Sequence, residues 1–209
     1  MSTLLFDLTA KSYAKAPIRD QASYEKKLEI TRTYLRPDMR VLEVGCGTGS
    51  TAIAHAPYVA HIDAYDASGK LLEIAKSRVQ EAGLTNIALK KVDVTRVALP
   101  DDGYDVVMAH SVLHLLADKE TMLARIYRTL KPGGVFVSST VCLDEMKGGW
   151  KLLAQASRVL PLTPAIRLFG KDHLRRSVTD AGFRIDHDWA PNDEAVLFLV
   201  AKKPESAAA

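Results

Sequence analysis

Val41-Leu42-Glu43-Val44-Gly45-Cys46-Gly47-Thr48-Gly49 is the stretch that decides how this chain is read. An apolar run breaks into alternate glycines and then enters a helical pattern. Glycine at a strand-to-helix turn lets backbone N–H groups approach a ligand closely, because no Cβ stands in the way. A dinucleotide fingerprint has the spacing G-x-G-x-x-G. Here Gly45, Gly47 and Gly49 give G-x-G-x-G, Ser50 takes the sixth place, and the acidic Glu43 lies inside the strand.

Outward from this turn, strands and helices alternate. A helix is expected over 22–35, ahead of Arg36-Pro37-Asp38, and strand one over about 40–45. The helix from about 48 should stop near Pro57, and 59–65 suit a second strand. Ser68 can cap the next helix, whose Leu71, Leu72, Ile74, Ala75 and Val79 have helical spacing, and Gly83 ends it. Strands follow at 86–92 and 104–109, then a helix over 118–130 that ends at Lys131-Pro132-Gly133-Gly134, read as a turn into strand five, 135–141. Strands alternating with helices indicate an α/β fold with a parallel sheet covered by helices on both faces. The end differs: a helix at about 171–181 stops at Gly182, and 183–189 and 194–201 read as consecutive strands joined by a short turn around Pro191-Asn192-Asp193. Such a closing hairpin is antiparallel.

Two carboxylates stand at strand ends. Asp66 comes 21 residues after Gly45, where an acidic side chain can accept hydrogen bonds from both hydroxyls of a ribose. S-adenosylmethionine (SAM) and NAD both carry that ribose, so Asp66 does not choose between them; its bland alternative is a solvated loop carboxylate. Asp63 is a weaker candidate, earlier in the strand. Asp93, in Lys90-Lys91-Val92-Asp93-Val94, ends strand three, and its bland alternative is an ordinary turn aspartate.

The E-x-G-x-G-x-G form resembles motif I of the class I SAM-dependent methyltransferases. The N-terminal Phe6-Asp7-x-x-Ala10-x-x-Tyr13 resembles the opening of the small-molecule group that includes ubiquinone/menaquinone-type C-methyltransferases and bacterial phospholipid N-methyltransferases, with Ala14 where that group has Asp. Leu130-Lys131-Pro132-Gly133-Gly134 resembles an architectural landmark of the same enzymes. The resemblance covers about 6–140 and implies a Rossmann-like, seven-stranded, mostly parallel sheet with an antiparallel C-terminal hairpin. It implies that SAM is the cofactor and S-adenosylhomocysteine the product. By resemblance, Gly45, Cys46 and Gly47 lie against the methionine part, Glu43 holds its ammonium directly or through water, and Gly49 is a further cofactor-binding position. Asp66 and Ala67 take the ribose side, Asp93 and the Val94 N–H take the adenine, and Tyr13 in a covering arm (1–36) lines the site. His110 and Ser111, after strand four, face the cofactor. His110, His114 and Tyr13 are the candidates for chemistry, since an imidazole can accept a proton from an O–H or N–H acceptor. His114 has packing as its alternative. His110 and His114 also have metal-pair spacing, with no third ligand evident and no metal expected.

Composition narrows the acceptor. The 209 residues suffice for one domain with a full core. A net charge of +3 is no footprint of a nucleic-acid binder, and Ala109-His110-Ser111-Val112 replaces the Asn-Pro-Pro-Tyr of amino-group DNA methylation. No run of about 18 apolar residues marks a transmembrane helix. The isolated Cys46 and Cys142 and the lack of a signal-peptide pattern fit a cytoplasmic location. The segment 143–170 reads as a lid-like insertion, apolar through Trp150, Leu152, Leu153, Val159, Leu160, Leu162, Ile166, Leu168 and Phe169. It is rimmed by Lys147, Lys151, Arg158, Arg167, Lys171, Arg175 and Arg176. That points to a small apolar or amphipathic acceptor; the alternatives are peripheral contact with lipid for phospholipid headgroup N-methylation, and plain packing. A non-catalytic SAM-binding regulator and a NAD-dependent oxidoreductase are the remaining readings. The tail 204–209 is expected to fray.

Overall fold

The computed structural model describes residues 3–145, 168–191 and 195–205. The turn residues Asn192 and Asp193, most of the segment 143–170 and the tail beyond Glu205 lie outside the described residues. Helices α1 (Leu4–Lys15) and α2 (Gln21–Arg32) precede β1 (Arg40–Val44). Then come α3 (Ser50–His55), β2 (His61–Asp66), α4 (Gly69–Glu81), β3 (Ile87–Lys91) and β4 (Tyr104–His110). Helix α5 (Lys119–Thr129), β5 (Leu130–Val141), α6 (Lys171–Asp180), β6 (Arg184–Trp189) and β7 (Val196–Lys202) complete the order.

All seven strands form one sheet, in the order β3-β2-β1-β4-β5-β7-β6. The first five are parallel, and β7 runs antiparallel to both β5 and β6. The chain reverses direction across the sheet between β1 and β4, so the loops after those strands diverge and leave a crevice at their C-terminal ends. Two apolar layers flank the sheet. One gathers Leu42, Val107, Leu123, Ile126, Phe136 and Leu199; the other gathers Val41, Ile62, Met108, Val137, Phe198 and Val200. Alternate residues of one strand thus serve opposite faces, which is why the central strands read as continuous apolar runs.

Local chemistry sets the ends of the elements. The Ser68 hydroxyl accepts the Leu71 N–H and caps α4, and Asp20 and Asp118 cap α2 and α5 in the same way. Strand β2 starts at His61 rather than Val59, because the Ala60 and His61 N–H groups both turn onto the Met39 carbonyl. Helix α3 starts at Ser50 rather than 48, because Gly49 is left-handed at φ +79°. The expected turn at 131–134 is instead enclosed by β5. Leu130 pairs with Tyr104 and Val135 with Val106, so the residues between them bulge from the ladder, tied to β7's end through Gly133 and Lys203.

Candidate functional site

The glycine turn is built from its neighbour strand. The Gly45 and Cys46 N–H groups both donate to the Tyr65 carbonyl, at 2.8 and 3.0 Å. One step on, the Asp66 carboxylate accepts the Gly47 N–H through Oδ2 and the Ser68 N–H through Oδ1, each at 2.8 Å. Burial raises the Asp66 pKa, against these backbone donors, which lower it. Gly45 is left-handed at φ +71°, and a Cβ there would stand 2.8 Å from Val112 Cγ2. Only glycine brings this backbone so close to the loop after β4.

Two cavities meet over this turn. The smaller, about 90 Å³, is lined by Phe6, Asp66, Ala67, Asp93 and Val94 together with apolar side chains of the 112–116 loop. The larger, about 530 Å³, reaches from the turn to α2 and is lined by Tyr24, Lys27, Thr31, Glu43, His55 and Ser139, among others. Tyr13, Gly45, Gly47, His110 and Ser111 line both. The volume of the larger one lies within the range of small-molecule sites.

Charge is distributed unevenly around them. Glu43 is buried, and its Oε2 has no hydrogen-bond partner among the described residues. Burial pushes its carboxyl up to about 8, and nearby Asp66 adds to the rise. A buried carboxyl oxygen without a partner is costly, so this atom is suited to meet a cation. His110 also presents a buried Nε2 with no hydrogen-bond partner among the described residues. Burial, with His55 and Lys27 nearby, lowers its pKa to about 3. At neutral pH it is an uncharged hydrogen-bonding group and a weak base.

Asp93 accepts the Thr95 N–H at 3.1 Å and its hydroxyl at 2.6 Å, which turns the chain after β3. Arg125 of α5 holds the same loop from below by donating to the Val94 and Val97 carbonyls. Over the cavities lies α1. Asp7 accepts the Ser68 hydroxyl at 2.6 Å and the Lys70 N–H at 3.3 Å. Position 14 is docked through its backbone, the Ala14 carbonyl accepting from Arg78 at 2.8 Å. The missing Asp at 14 therefore does not release the arm.

A sequence model described as a methyltransferase domain matches residues 35–182. The chain belongs to this family. An uncharacterized methyltransferase, YcgJ of Bacillus subtilis, is 32% identical over 110 residues, covering 53% of this chain and 44% of that relative. A demethylmenaquinone methyltransferase of Symbiobacterium thermophilum is 31% identical over 150 residues, 68% of this chain and 58% of its own length. The chain thus spans about half the length of the curated relatives it matches. Among solved structures, the [4+2]-cyclase SpnF superposes with a TM-score of 0.77 at 20% identity, over 97% of this chain and 94% of that one. At that identity the likeness concerns the fold. It is the seven-stranded, Rossmann-like class I fold with the antiparallel hairpin that the glycine turn implied.

Within this methyltransferase domain some candidates stand away from the cavities. Gly49 lines neither; a Cβ there would lie 3.2 Å from the Ala75 Cβ, so its smallness serves the approach of α3 to α4. His114 sits in the turn Leu113–Leu115 and also lines neither, and burial lowers its pKa to about 4. A base for the acceptor needs contact with the site, which this position does not provide. Asp63 is buried among Arg40, Lys90 and Tyr104, a structural ion-pair cluster away from the turn. The Cys46 thiol is buried, and burial beside Glu43 and Asp66 pushes its pKa far up, which suits packing and opposes nucleophilic use.

The basic rim expected around 143–170 is partly neutralised: Lys171 pairs with Glu145 at 3.1 Å, and Arg175 with Asp172 and Asp188 at 2.7 and 2.6 Å. Trp150, Lys147, Lys151, Arg158 and Arg167 lie outside the described residues. Among the described residues no helix is long and apolar enough to cross a membrane. Sequence reading missed the α2 wall, Tyr24, Lys27 and Thr31, and also His55 and Ser139. Tyr24, Lys27 and Thr31 recur at i, i+3 and i+7, the spacing of one helix face. That spacing was visible, but nothing local said which face would meet a cavity.

Proposed function

We propose that this chain transfers a methyl group from S-adenosylmethionine to a small-molecule acceptor. The observation that carries the reading is the meeting of two unlike cavities over one glycine turn, with the carboxyl groups of Glu43 in β1, Asp66 at the end of β2 and Asp93 just after β3 on their walls. In this reading Asp66 and Ala67 receive the ribose, and Asp93 and Val94 the adenine. Gly45, Cys46 and Gly47 take the methionine part, and Glu43 Oε2 its ammonium. Phe6 and Tyr13 cover the cofactor. Bound SAM supplies a methyl group activated on a sulfonium. The protein's own task is orientation, which contributes roughly 7–11 kcal/mol in favourable cases.

The acceptor occupies the part of the larger cavity bounded by Tyr24, Thr31, His110 and Ser139. Each of these four side chains offers a hydroxyl or an imidazole within an otherwise largely apolar lining, so the acceptor is amphipathic, with an O–H or N–H group at its reacting end. A neutral His110 orients that group by hydrogen bonding. The named activity of the Symbiobacterium relative also favours a small molecule over a macromolecule.

The test is to incubate the purified protein with methyl-labelled SAM and cell extract, then partition the label. Label in the aqueous or organic small-molecule fraction supports the reading, and the fraction tells polar from amphipathic acceptors. Label confined to precipitated macromolecules overturns the acceptor class. Tight SAM binding with no transfer in any extract replaces the enzyme with a SAM-binding regulator.

A further inference from the structure

Arg78 lies in the C-terminal half of α4, half-buried, on the wall of the larger cavity. Its Nη1 donates to the Thr48 hydroxyl at 2.9 Å and the Ser50 hydroxyl at 3.1 Å. Its Nη2 donates to the Ala14 carbonyl at 2.8 Å. All three acceptors are neutral, and no described carboxylate forms an ion pair with this guanidinium. A guanidinium carries more donors than these three bonds use, in a planar fork that matches a carboxylate. The other cation on this wall, Lys27, acts on His110, at the acceptor end. Arg78 instead stands at the glycine-turn end, held beside Thr48.

On the reading that SAM is the cofactor, the methionine end brings an ammonium and a carboxylate on one carbon. Glu43 answers only the ammonium. We propose that Arg78 binds the carboxylate, so that Glu43 and Arg78 together read the amino-acid end as a zwitterion from the same cavity. Such a charge-assisted, forked contact is among the stronger hydrogen-bonding arrangements. Because Arg78 also holds Ala14, filling this subsite and seating the arm involve one side chain.

The test is calorimetric binding of three probes to the full chain and to Arg78→Gln and Arg78→Lys. S-adenosylhomocysteine carries both charged groups, its decarboxylated analogue keeps only the amine, and 5′-methylthioadenosine lacks the amino-acid end. The expected result is that Arg78→Gln weakens S-adenosylhomocysteine by about tenfold or more, with the other two probes unchanged. Arg78→Lys, which keeps the charge without the fork, should fall between. Equal weakening of all three probes would assign Arg78 to arm docking alone and overturn the proposal. So would an unchanged affinity for S-adenosylhomocysteine. Wild-type protein that binds none of the probes would instead remove the cofactor reading beneath it.

Discussion

The Asp66 carboxylate and the Gly47 N–H, 19 residues apart in sequence, meet at 2.8 Å. The second oxygen of the same carboxylate holds the Ser68 N–H. Asp66 therefore shapes the turn as well as facing the smaller cavity. Asp66→Ala leaves two backbone donors without their acceptor and removes the proposed ribose contacts, each charge-assisted bond being worth roughly 1.5–3 kcal/mol. The expected outcome is a fall of more than about tenfold in S-adenosylhomocysteine affinity, together with a lower melting temperature. Calorimetry and thermal unfolding of the same variant check both; an affinity loss with unchanged stability would mean the turn does not lean on Asp66.

Glu43 makes stability depend on pH in a stated direction. Its carboxyl titrates near 8 in the folded chain, against an ordinary value of 4.5. The folded state therefore holds this proton more tightly than the unfolded state between those values. The stability it contributes is complete below the unfolded pKa and falls as pH rises through the folded one. Glu43→Gln should make the free protein relatively more stable above pH 8, by roughly 1–3 kcal/mol. Melting curves from pH 5 to 9 are the check. If an ammonium docks on Oε2, SAM binding below pH 8 also releases a proton, visible as a buffer-dependent binding enthalpy.

Gly45→Ala combines two penalties. The left-handed φ of +71° disfavours any side chain, and the new Cβ would stand 2.8 Å from Val112 Cγ2. Expected are a stability loss of about 1–3 kcal/mol and strongly weakened cofactor binding. Denaturant unfolding with and without S-adenosylhomocysteine separates the two effects. A variant as stable and as tightly binding as the parent would show that the turn tolerates a shift of Val112.

The arm has its own latch. The Ser68 hydroxyl bond to Asp7 holds that carboxyl below its ordinary pKa. Its grip is present above that ordinary value and is lost as pH falls through the lowered one. Asp7→Ala should speed tryptic cleavage at Lys11 and Lys15 several-fold and weaken S-adenosylhomocysteine, with little change in global melting. Timed proteolysis followed by mass spectrometry reads this directly; unchanged cleavage would leave the Arg78–Ala14 bond as the sufficient tether.

The sheet was largely legible because its elements are locally signalled. Ser68 and Gly83 bracket α4 where expected, and the consecutive patterns at 183–189 and 194–201 do form the antiparallel pair. The turn at 131–134 was misjudged because a bulge is defined by pairing across to β4, which is not written in residues 131–134 themselves. Of the candidate site residues, Glu43 within β1 and Asp66, Asp93 and His110 at or just after strand ends line the cavities. Gly49 and His114 line neither cavity, because neighbours in sequence diverge in space.

The sequence by itself determined the order of strands and helices, the glycine turn, the caps and the family those features resemble. These depend on residues a few positions apart, through backbone sterics and apolar periodicity. Only the tertiary structure decided that Asp66 braces Gly47, that Arg78 joins α1 to the turn, that Glu43 Oε2 has no hydrogen-bond partner among the described residues and that α2 walls the larger cavity. Each of these brings together groups from different elements. Their distances follow from the packing of the whole sheet and its helices, which no local stretch of the chain specifies.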